Sequence, residues 1–225
     1  MWADLATRAS LLTEAMDAPD CHSVRLTRTY QQFSALNRVL SGWGLLYKKF
    51  LRPELAAGAR TILDIGCGGG DVLRLLSHLA QRDGFRVEGL GVDPDARAID
   101  FAQAQANPHN LQFRQANSSE LNEPFDMVIS NHVLHHLADN EVTGFCQESQ
   151  RLACKLVLHN DIRRSALAYA LFPFTGLVFH GSYIVSDGLI SIRRSFIEPE
   201  LREKLPGGWD VTQYGAFRLQ AVWKP

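Results

Sequence analysis

The sequence has little excess charge of either sign and no cysteine pairing pattern. Its 225 residues include 23 basic and 24 acidic side chains, for a formal net charge of −1. A chain without a basic excess does not attract a polyanion, so we expect no nucleic acid partner. The four cysteines are scattered and form no CxxC pair. This usage is typical of reduced thiols, and it predicts a cytoplasmic protein.

The chain also lacks a secretory signal and a clean membrane span. Its N-terminal residues include early acids and no apolar core of a signal peptide. Residues 165–186 contain no Asp, Glu, Lys or Arg, and their length approaches that of a span. Pro173, Gly176, His180 and Gly181 interrupt this stretch. We therefore expect buried helices that line an apolar pocket and no stable membrane insertion, with peripheral contact with a bilayer surface as the alternative.

The chain does contain apolar strands that alternate with helices. Short apolar runs that end at glycine or polar residues predict strands, and the segments between them have helical periodicity. The predicted strands are 60–66, 85–93, 111–115, 124–130 and 155–161, and the predicted helices are 71–82, 96–106 and 138–153. This order predicts a doubly wound α/β fold with helices on both faces of a parallel sheet. The final segments WDVTQY and AFRLQAVW predict a closing pair of strands.

Further helices are predicted outside this alternating core. Residues 3–17 and about 27–51 have helical periodicity, which predicts an N-terminal helical cap over 1–57. A cofactor-binding domain then covers 58–225. Helical stretches at 163–180 and about 197–205 predict a helical insertion at about 163–205 in this domain.

The segment LDIGCGGGD, residues 63–71, is a glycine-rich turn after a buried strand. A dinucleotide fingerprint has the spacing G-x-G-x-x-G and holds a pyrophosphate at a helix N-terminus. Here the spacing is G-x-G-x-G, with Asp64 before the glycines and Asp71 directly after them. These acids would repel a diphosphate, and they suit a ligand that carries an ammonium or a sulfonium. Asp93, which ends the second strand, can accept both ribose hydroxyls of an adenosine.

The motifs ILDIGCGGG, VDPD, NSSEL and FDMVISNHVLHHL resemble the class I S-adenosylmethionine-dependent methyltransferases, in order and over about residues 60–160. Upstream, TYQQFSALNRVLSGW resembles the N-terminal helices of the ubiquinone/menaquinone methyltransferases. Downstream, NDIRRSALAY and DGLISIRRSF resemble a bacterial subgroup that acts on aromatic polyketide or quinone-like substrates. The resemblance implies a Rossmann-like fold whose mostly parallel sheet has seven strands and a terminal antiparallel hairpin. It also implies S-adenosylmethionine as the cofactor.

The resemblance further implies which residues bind this cofactor. Asp64, Gly66 and Gly68 would hold the methionine half, and Asp93 would bind the ribose. Pro94, Asn117 and Ser118 would contact adenine, and Asn131 and His132 would lie beside the sulfonium. Cys67 is also counted among the cofactor-binding residues. Asn117 stands where many family members have an acid, and its amide oxygen can still accept from the adenine amine. Cys67 is expected to be a small residue that fits between the glycines.

Histidines are the candidates for proton removal. Methyl transfer from a sulfonium requires an aligned nucleophile, exclusion of water and loss of a proton, and histidine is a suitable base near neutral pH. His132 lies closest to a strand end, so we expect His132 and His135 to be catalytic and His136 to be structural; His159 and His180 are further candidates. The spacing HxxHH would also allow a metal site. We expect no metal, because this segment lacks a companion carboxylate.

The tetrapeptide IRRS occurs at 162–165 and again at 192–195. Guanidinium groups bind carboxylates bidentately, so arginines beside an apolar pocket would suit an anionic substrate. The alternative is a solvated helix face whose arginines pair with nearby acids. We expect one arginine of each pair to face the pocket. The substrate-binding candidates are Arg163, Arg164, Arg193 and, from the helical cap, Tyr30.

These features predict a methyltransferase that uses S-adenosylmethionine, with a role in secondary metabolite biosynthesis. The expected reaction is O-methylation of a small, apolar phenolic or polyketide/quinone-like substrate, and C-methylation of a quinol ring is the alternative. A nicotinamide-dependent oxidoreductase and a non-catalytic cofactor-binding protein are the alternatives from other classes. The expected partner is a small aromatic molecule, and the sequence sets no oligomeric state.

Overall fold

A seven-stranded sheet organises the part of the chain that this computed structural model describes, residues 4–225. The strands are β1 (Thr61–Ile65), β2 (Glu88–Asp93), β3 (Leu111–Gln115), β4 (Phe125–Asn131), β5 (Ala153–Ile162), β6 (Trp209–Tyr214) and β7 (Arg218–Trp223). Their order across the sheet is β3-β2-β1-β4-β5-β7-β6. The first five strands pair in parallel, and β7 runs antiparallel between β5 and β6. The predicted mostly parallel sheet with a terminal antiparallel hairpin is confirmed.

The central strands are apolar on both faces because each face is covered. Alternate side chains of β1, β4 and β5 enter two separate cores. One core receives Ile62, Met127 and Leu156, and the other receives Leu63, Val128 and Val157. This two-sided burial is why these strands are continuous apolar runs in the sequence.

The crossover helices lie close to their predicted positions. They are α4 (Asp71–Arg82), α5 (Ala96–Ala104) and α6 (Val142–Leu152), numbered after three helices of the N-terminal part. The N-terminus of α5 is capped by Asp95, whose carboxylate accepts the backbone N–H of Arg97 at 2.8 Å.

The N-terminal part is helical from residue 23 onwards. It contains α1 (Ser23–Leu40), α2 (Trp43–Leu46), a π-helical turn (Tyr47–Leu51) and α3 (Arg52–Ala56). The single helix predicted over 27–51 is broken at Gly42, whose φ of 73° is left-handed. Residues of α2 and α3 share one core with the sheet. The packing is therefore continuous across residue 57, and the division into a cap and a cofactor domain stays a prediction.

The helix predicted over 3–17 is wrong; its first residue lies outside the described part of the chain. Only one 3-10 turn, Ala15–Asp17, forms in this range. The backbone of this segment pairs with distant partners in place of helical ones. The N–H of Ala9 donates to the carbonyl of Arg193 at 2.9 Å, and the N–H of Met16 donates to the carboxylate of Asp187 at 2.9 Å.

The insertion contains α7 (Ala166–Leu171), a 3-10 turn (Phe172–Leu177), α8 (Ile184–Arg194) and α9 (Glu198–Lys204). The helix predicted over 163–180 is thus shorter, and α8 was not predicted as a separate helix. Pro173 lies at the start of the 3-10 turn, where proline fits a helical first turn. Within residues 4–225, no helix combines the length and the apolar character that crossing a membrane requires.

We predict that His159 makes the fold sensitive to acid. His159 is fully buried on β5, where its Nδ1 lies 2.8 Å from the hydroxyl of Ser130, and burial lowers its pKa from 6.5 to about 3. Between pH 6.5 and about pH 3, His159 binds a proton in the unfolded chain but not in the folded one. The contribution of neutral His159 to the free energy of unfolding is therefore complete above pH 6.5 and is lost as the pH falls below it. The free energy of unfolding should decrease by up to about 1.4 kcal/mol per pH unit in this window.

Urea unfolding between pH 7 and pH 4 measures this effect. His159→Gln keeps a neutral polar side chain, and its free energy of unfolding should vary less steeply with pH than that of the unsubstituted protein. Equal slopes for the two proteins would contradict the assignment.

Candidate active site

A cavity of about 910 Å³ opens at the carboxyl ends of the parallel strands. It lies where the strand order reverses between β1 and β4, which is the position at which open α/β sheets bind ligands. Its walls come from the loops after β1, β2 and β4, from α1, and from the insertion. Its volume is near the upper end of the roughly 300–1,000 Å³ of small-molecule sites. The cavity is therefore large enough to hold two ligands together.

Three carboxylates surround the glycine loop. Asp64 on β1 is buried, while Asp71 at the start of α4 and Asp93 at the end of β2 are half-buried. Burial raises the pKa of all three, and Asp71 and Asp93 raise that of Asp64 further. Neither carboxylate oxygen of Asp64 has a hydrogen-bond partner among the described residues. This end of the cavity is therefore suited to a cationic ligand with N–H donors.

The loop itself presents its backbone to the cavity. Gly66 and Gly68 have φ values of 69° and 52°, which are accessible mainly to glycine. A Cβ on Gly66 would lie 2.5 Å from Cγ2 of Val133, whereas a Cβ on Gly68 would meet nothing within 4 Å. The N–H of Gly68 donates to the carboxylate of Asp93 at 2.9 Å. The glycines thus let a ligand approach the backbone closely beside two acids.

Most of the residues predicted to bind the cofactor line this cavity. They are Asp64, Gly66, Cys67, Gly68, Asp93, Pro94, Asn131 and His132. Asn117 and Ser118 lie outside the lining. The Asn117 amide donates instead to the carboxylate of Glu120 at 3.0 Å and caps a 3-10 turn, Ser118–Glu120. This hydrogen bond uses the amide nitrogen and not the amide oxygen that was predicted to accept from adenine, so the adenine role of these two residues stays a prediction.

The turn after β4 holds His132 in an uncommon conformation. His132 has a φ of 63°, in the left-handed region, and it is the only residue besides glycine to do so within residues 4–225. Its Nε2 is hydrogen-bonded to a guanidinium nitrogen of Arg218. Because guanidinium can only donate, Nε2 is the acceptor and the ring proton is on Nδ1. Burial and Arg218 together hold the pKa of His132 well below its usual value. His132 is therefore neutral, and Nε2 is not free to act as a base in this arrangement.

His135 is buried between two carboxylates. Its Nδ1 lies 2.7 Å from Asp161, and its Nε2 lies 3.4 Å from Glu14. Burial lowers the pKa of His135, but Asp161 and Glu14 outweigh burial and raise it to about 9. His136, predicted to be structural, lines the cavity, with its Nε2 3.8 Å from Glu14. Glu14 is a residue that the sequence analysis missed.

The prediction that one arginine of each IRRS pair faces the pocket is not supported by the structure. Arg163 reaches the carbonyl of Ala216 at 3.2 Å, and Arg193 is also absent from the cavity lining. Arg164 is buried away from the cavity and binds the carboxylate of Glu200 at 2.9 Å. Arg163 and Arg164 thus fasten chain segments to one another, and none of the three predicted arginines lines the cavity.

Arg218 is the basic residue that lies beside the turn after β4. It is buried at the start of β7 and lines the cavity. It donates to the side-chain oxygens of Asn131 at 2.9 Å and Asn160 at 3.3 Å, and to His132. Burial lowers its pKa to about 10, so it remains a cation at neutral pH. All three acceptors are neutral, and the nearby carboxylate of Asp161 acts on the charge of Arg218 without a hydrogen bond to it, opposing the effect of burial on the pKa.

The remaining wall is apolar. It includes Phe33, Leu36, Leu171, Phe172, Ile184 and Phe217. Tyr30 also lines the cavity, as predicted for a cap residue, and its ring centroid lies 5.3 Å from that of Phe101. One cavity therefore contains an acidic end, a buried cation and an apolar wall.

Comparison with known proteins identifies similar chains. Residues 62–155 match the methyltransferase domain family. A ubiquinone biosynthesis O-methyltransferase of Rhizobium etli is 38% identical over 86 residues, 36% of this chain and 32% of the relative. A putative methyltransferase of Geobacillus sp. is 34% identical over 88 residues, 38% of this chain and 34% of the relative. The chain thus spans about a third of the length of these curated relatives.

Two solved structures share the fold over most of their length. The plantazolicin methyltransferase BpumL, in complex with a triazolic desmethylPZN analog and SAH, has a TM-score of 0.66 at 12% identity and covers 93% of each chain. The magnesium protoporphyrin IX methyltransferase ChlM from Synechocystis PCC 6803, with bound SAH, has a TM-score of 0.53 at 18% identity and covers 89% of this chain and 84% of its own. At these identities the likeness shows the fold alone.

We predict that Asp64→Asn stabilises the ligand-free protein at pH 7. Burial and neighbouring acids raise the pKa of Asp64 above its unfolded value of 3.8, so its charge is penalised in the fold and the penalty grows as the pH rises from that value. Removing the charge should raise the free energy of unfolding by about 1–3 kcal/mol. This corresponds to roughly 2–4 °C in melting temperature per kcal/mol.

Asp100→Asn is the matched control, because Asp100 is exposed on α5. Thermal unfolding of both variants at pH 7 and pH 4 provides the test. The gain of Asp64→Asn should be smaller at pH 4 than at pH 7, because the raised pKa leaves less of the Asp64 carboxyl group ionised at the lower pH. If Asp64→Asn melts at or below the melting temperature of Asp100→Asn at pH 7, Asp64 does not carry an unpaired charge in the ligand-free protein.

Proposed function

The segment 62–155 is a methyltransferase domain of the class I S-adenosylmethionine-dependent type, and from this premise we propose that the protein methylates an oxygen of a small, apolar phenolic or quinone-like molecule. The observation that carries the proposal is the pair of opposite charges in one cavity. Asp64 is a carboxylate without a partner among the described residues, and the hydrogen bonds of Arg218 go only to neutral groups. A cationic methyl donor and an anionic acceptor would satisfy both.

The donor site fits S-adenosylmethionine. Asp64 and the loop of Gly66 and Gly68 would hold the methionine half, whose ammonium provides the N–H donors that Asp64 lacks. Asp93 would hold the ribose. When bound, this cofactor supplies a methyl group on a positively charged sulfur, and a nucleophile in line with that bond takes the methyl while the sulfur keeps the electron pair.

The acceptor site favours an ionised oxygen. A phenol has an ordinary pKa near 10, and a guanidinium within hydrogen-bond distance stabilises its anion. Arg218 is charged at neutral pH and faces the cavity beside Asn131. In this proposal Arg218 binds the phenolate, whose proton has already passed to solvent, and His132 positions the guanidinium through its Nε2. The apolar wall excludes water from the acceptor.

The names of the curated relatives support this substrate class, since one of them is a ubiquinone biosynthesis O-methyltransferase. A ring carbon next to the phenolate is a competing nucleophile, because the same anion delocalises its charge onto that carbon. C-methylation of a quinol ring is therefore the second candidate. It requires the same Arg218 contact, so only the product distinguishes the two reactions.

Calorimetry and product analysis test the proposal together. We expect S-adenosylhomocysteine to bind with a micromolar dissociation constant and NADH to show no saturable binding. A panel of alkyl phenols, catechols and quinols, incubated with S-adenosylmethionine, should yield O-methyl ethers by mass spectrometry and NMR. Products methylated on a ring carbon would show that the reaction is C-methylation and would overturn the proposed O-methylation. Binding of NADH without binding of S-adenosylhomocysteine would overturn the proposal.

We predict that Arg218→Met lowers kcat/KM for the methylated phenol by about 10- to 100-fold, the loss of a charged hydrogen bond of about 1.5–3 kcal/mol. Arg163→Met is the matched control, since Arg163 lies at the same pair of strands but outside the cavity lining. It should change kcat/KM less than about twofold.

Absorbance of a bound nitrophenol gives a readout that a purely structural role would not change. The unsubstituted protein should lower the pKa of the bound phenol, Arg218→Lys should lower it in part, and Arg218→Met should leave it near the value in solution. If Arg218→Met and Arg163→Met give the same phenol pKa, Arg218 does not bind the acceptor oxygen.

A further inference from the structure

A second group of ligand atoms converges in the cavity, away from the glycine loop. It consists of the carboxylate of Glu14 and the imidazoles of His135 and His136, all of which line the cavity. Glu14 Oε1 lies 3.4 Å from Nε2 of His135 and 3.8 Å from Nε2 of His136, and the three ligand atoms lie within 4.8 Å of one another. We propose that these three side chains bind a divalent transition metal ion of the zinc class.

The separations match the geometry of such an ion. Zinc binds imidazole nitrogen and carboxylate oxygen at about 2.0–2.2 Å, usually with tetrahedral geometry. Tetrahedral bonds of this length place neighbouring ligand atoms about 3.3–3.5 Å apart. The contact of Glu14 with His135 already has this spacing, and the exposed side chain of His136, 3.8 Å from Glu14, can move to complete it. Two imidazoles and one carboxylate are also the protein ligands of many catalytic zinc sites.

The ring of His135 is oriented as a metal ligand requires. The residue is only 1% exposed, and its Nε2 makes no hydrogen bond to any described residue. Its Nδ1 lies 2.7 Å from the carboxylate of Asp161, which also accepts the backbone N–H of His135 at 2.8 Å. A carboxylate on the far nitrogen fixes the tautomer and ring orientation of metal-bound histidines. Asp161 thus directs Nε2 toward Glu14 Oε1, 3.4 Å away, and a bound ion would take the place of the proton between these two atoms.

Glu14 is also held in place. It is 5% exposed, and the hydroxyl of Ser191 donates to its Oε1 at 2.6 Å. The backbone that carries the two histidines is fastened by Arg194, whose guanidinium donates to the carbonyls of His135 at 3.2 Å and His136 at 2.9 Å. The arginine thus supports the site through the backbone, without occupying the ligand atoms.

The remaining coordination positions face the cavity. An ion there would act as a Lewis acid on an oxygen of a bound phenol or hydroxyquinone, and this use of the ion rests on the proposed function. Binding of the ion itself does not rest on the proposed function. The histidine segment lacks a carboxylate, so the sequence predicts no metal; Glu14 supplies a carboxylate from a distant part of the chain.

The test uses the full chain, purified without a histidine tag and freed of metal with a chelator. Zinc is titrated by competition with a chromophoric chelator, and cobalt(II) is added separately to record its visible absorption. We expect one equivalent of zinc to bind, and cobalt to give the intense visible bands of a four- or five-coordinate ion. Glu14→Gln and His136→Gln should each weaken zinc binding by about 100-fold or more, while Asp161→Asn should weaken it by about 10- to 100-fold.

His109→Gln is the matched control, since His109 is exposed outside the cavity lining. Thermal unfolding without metal checks that His136→Gln, at an exposed position, is folded. Failure of the unsubstituted protein to bind one equivalent, or equal affinity in the His136 and His109 variants, overturns the site. If zinc binds but methyl transfer is unchanged by its removal, the Lewis-acid role is overturned. If zinc binds and no phenol is methylated, the proposed function fails while the metal site stands.

Discussion

The architecture of the cavity depends on one carboxylate that the described chain leaves unpaired. Asp64 is fixed on the central strand β1, where both of its neighbours are strands and its side chain cannot turn toward solvent. Burial of an ionised carboxylate without a partner costs several kcal/mol. The two nearby acids, Asp71 and Asp93, increase that cost. A cationic ligand removes it, which is why the same loop geometry that could approach a diphosphate is suited to a sulfonium donor.

The side of the cavity that contains Arg218 and the turn after β4 is assembled from segments that are far apart in the sequence. Asn131 receives hydrogen bonds from Trp43 of α2 at 3.0 Å and from Arg218 of β7 at 2.9 Å. Arg8 donates to the carbonyl oxygens of His135 at 2.9 Å and Leu137 at 2.7 Å. The cap, the turn after β4 and the terminal hairpin therefore position one another.

The sequence predicts the features whose cause is local. Buried strands appear as apolar runs, and the acids around the glycine loop are within a few residues of it, so the sheet and the donor side could be predicted. The role of Arg218 could not be predicted, because the antiparallel pairing of β7 with β5 is what brings Arg218 to the cavity. Glu14 was missed because contacts with distant residues hold it at the cavity, such as the hydrogen bond that its carboxylate accepts from Ser191. The arginines of the first IRRS segment follow a predicted strand end, but the partners of Arg163 and Arg164 are backbone carbonyls and Glu200. Asn117 replaces the acid of the family at its position and lies outside the cavity lining, with its amide nitrogen donating to Glu120.

The central claim is that the carboxylate of Asp64 binds the ammonium group of the cofactor. The measurement is the calorimetric affinity of S-adenosylhomocysteine and of its analogue without the amino group, for the unsubstituted protein and for Asp64→Asn. The unsubstituted protein should prefer the amine-bearing ligand by about 10- to 100-fold, the value of one charged hydrogen bond, and the variant should prefer it by less than about threefold. An equal preference in both proteins would contradict the account, because Asp64 would then not be the partner of the ligand's cation.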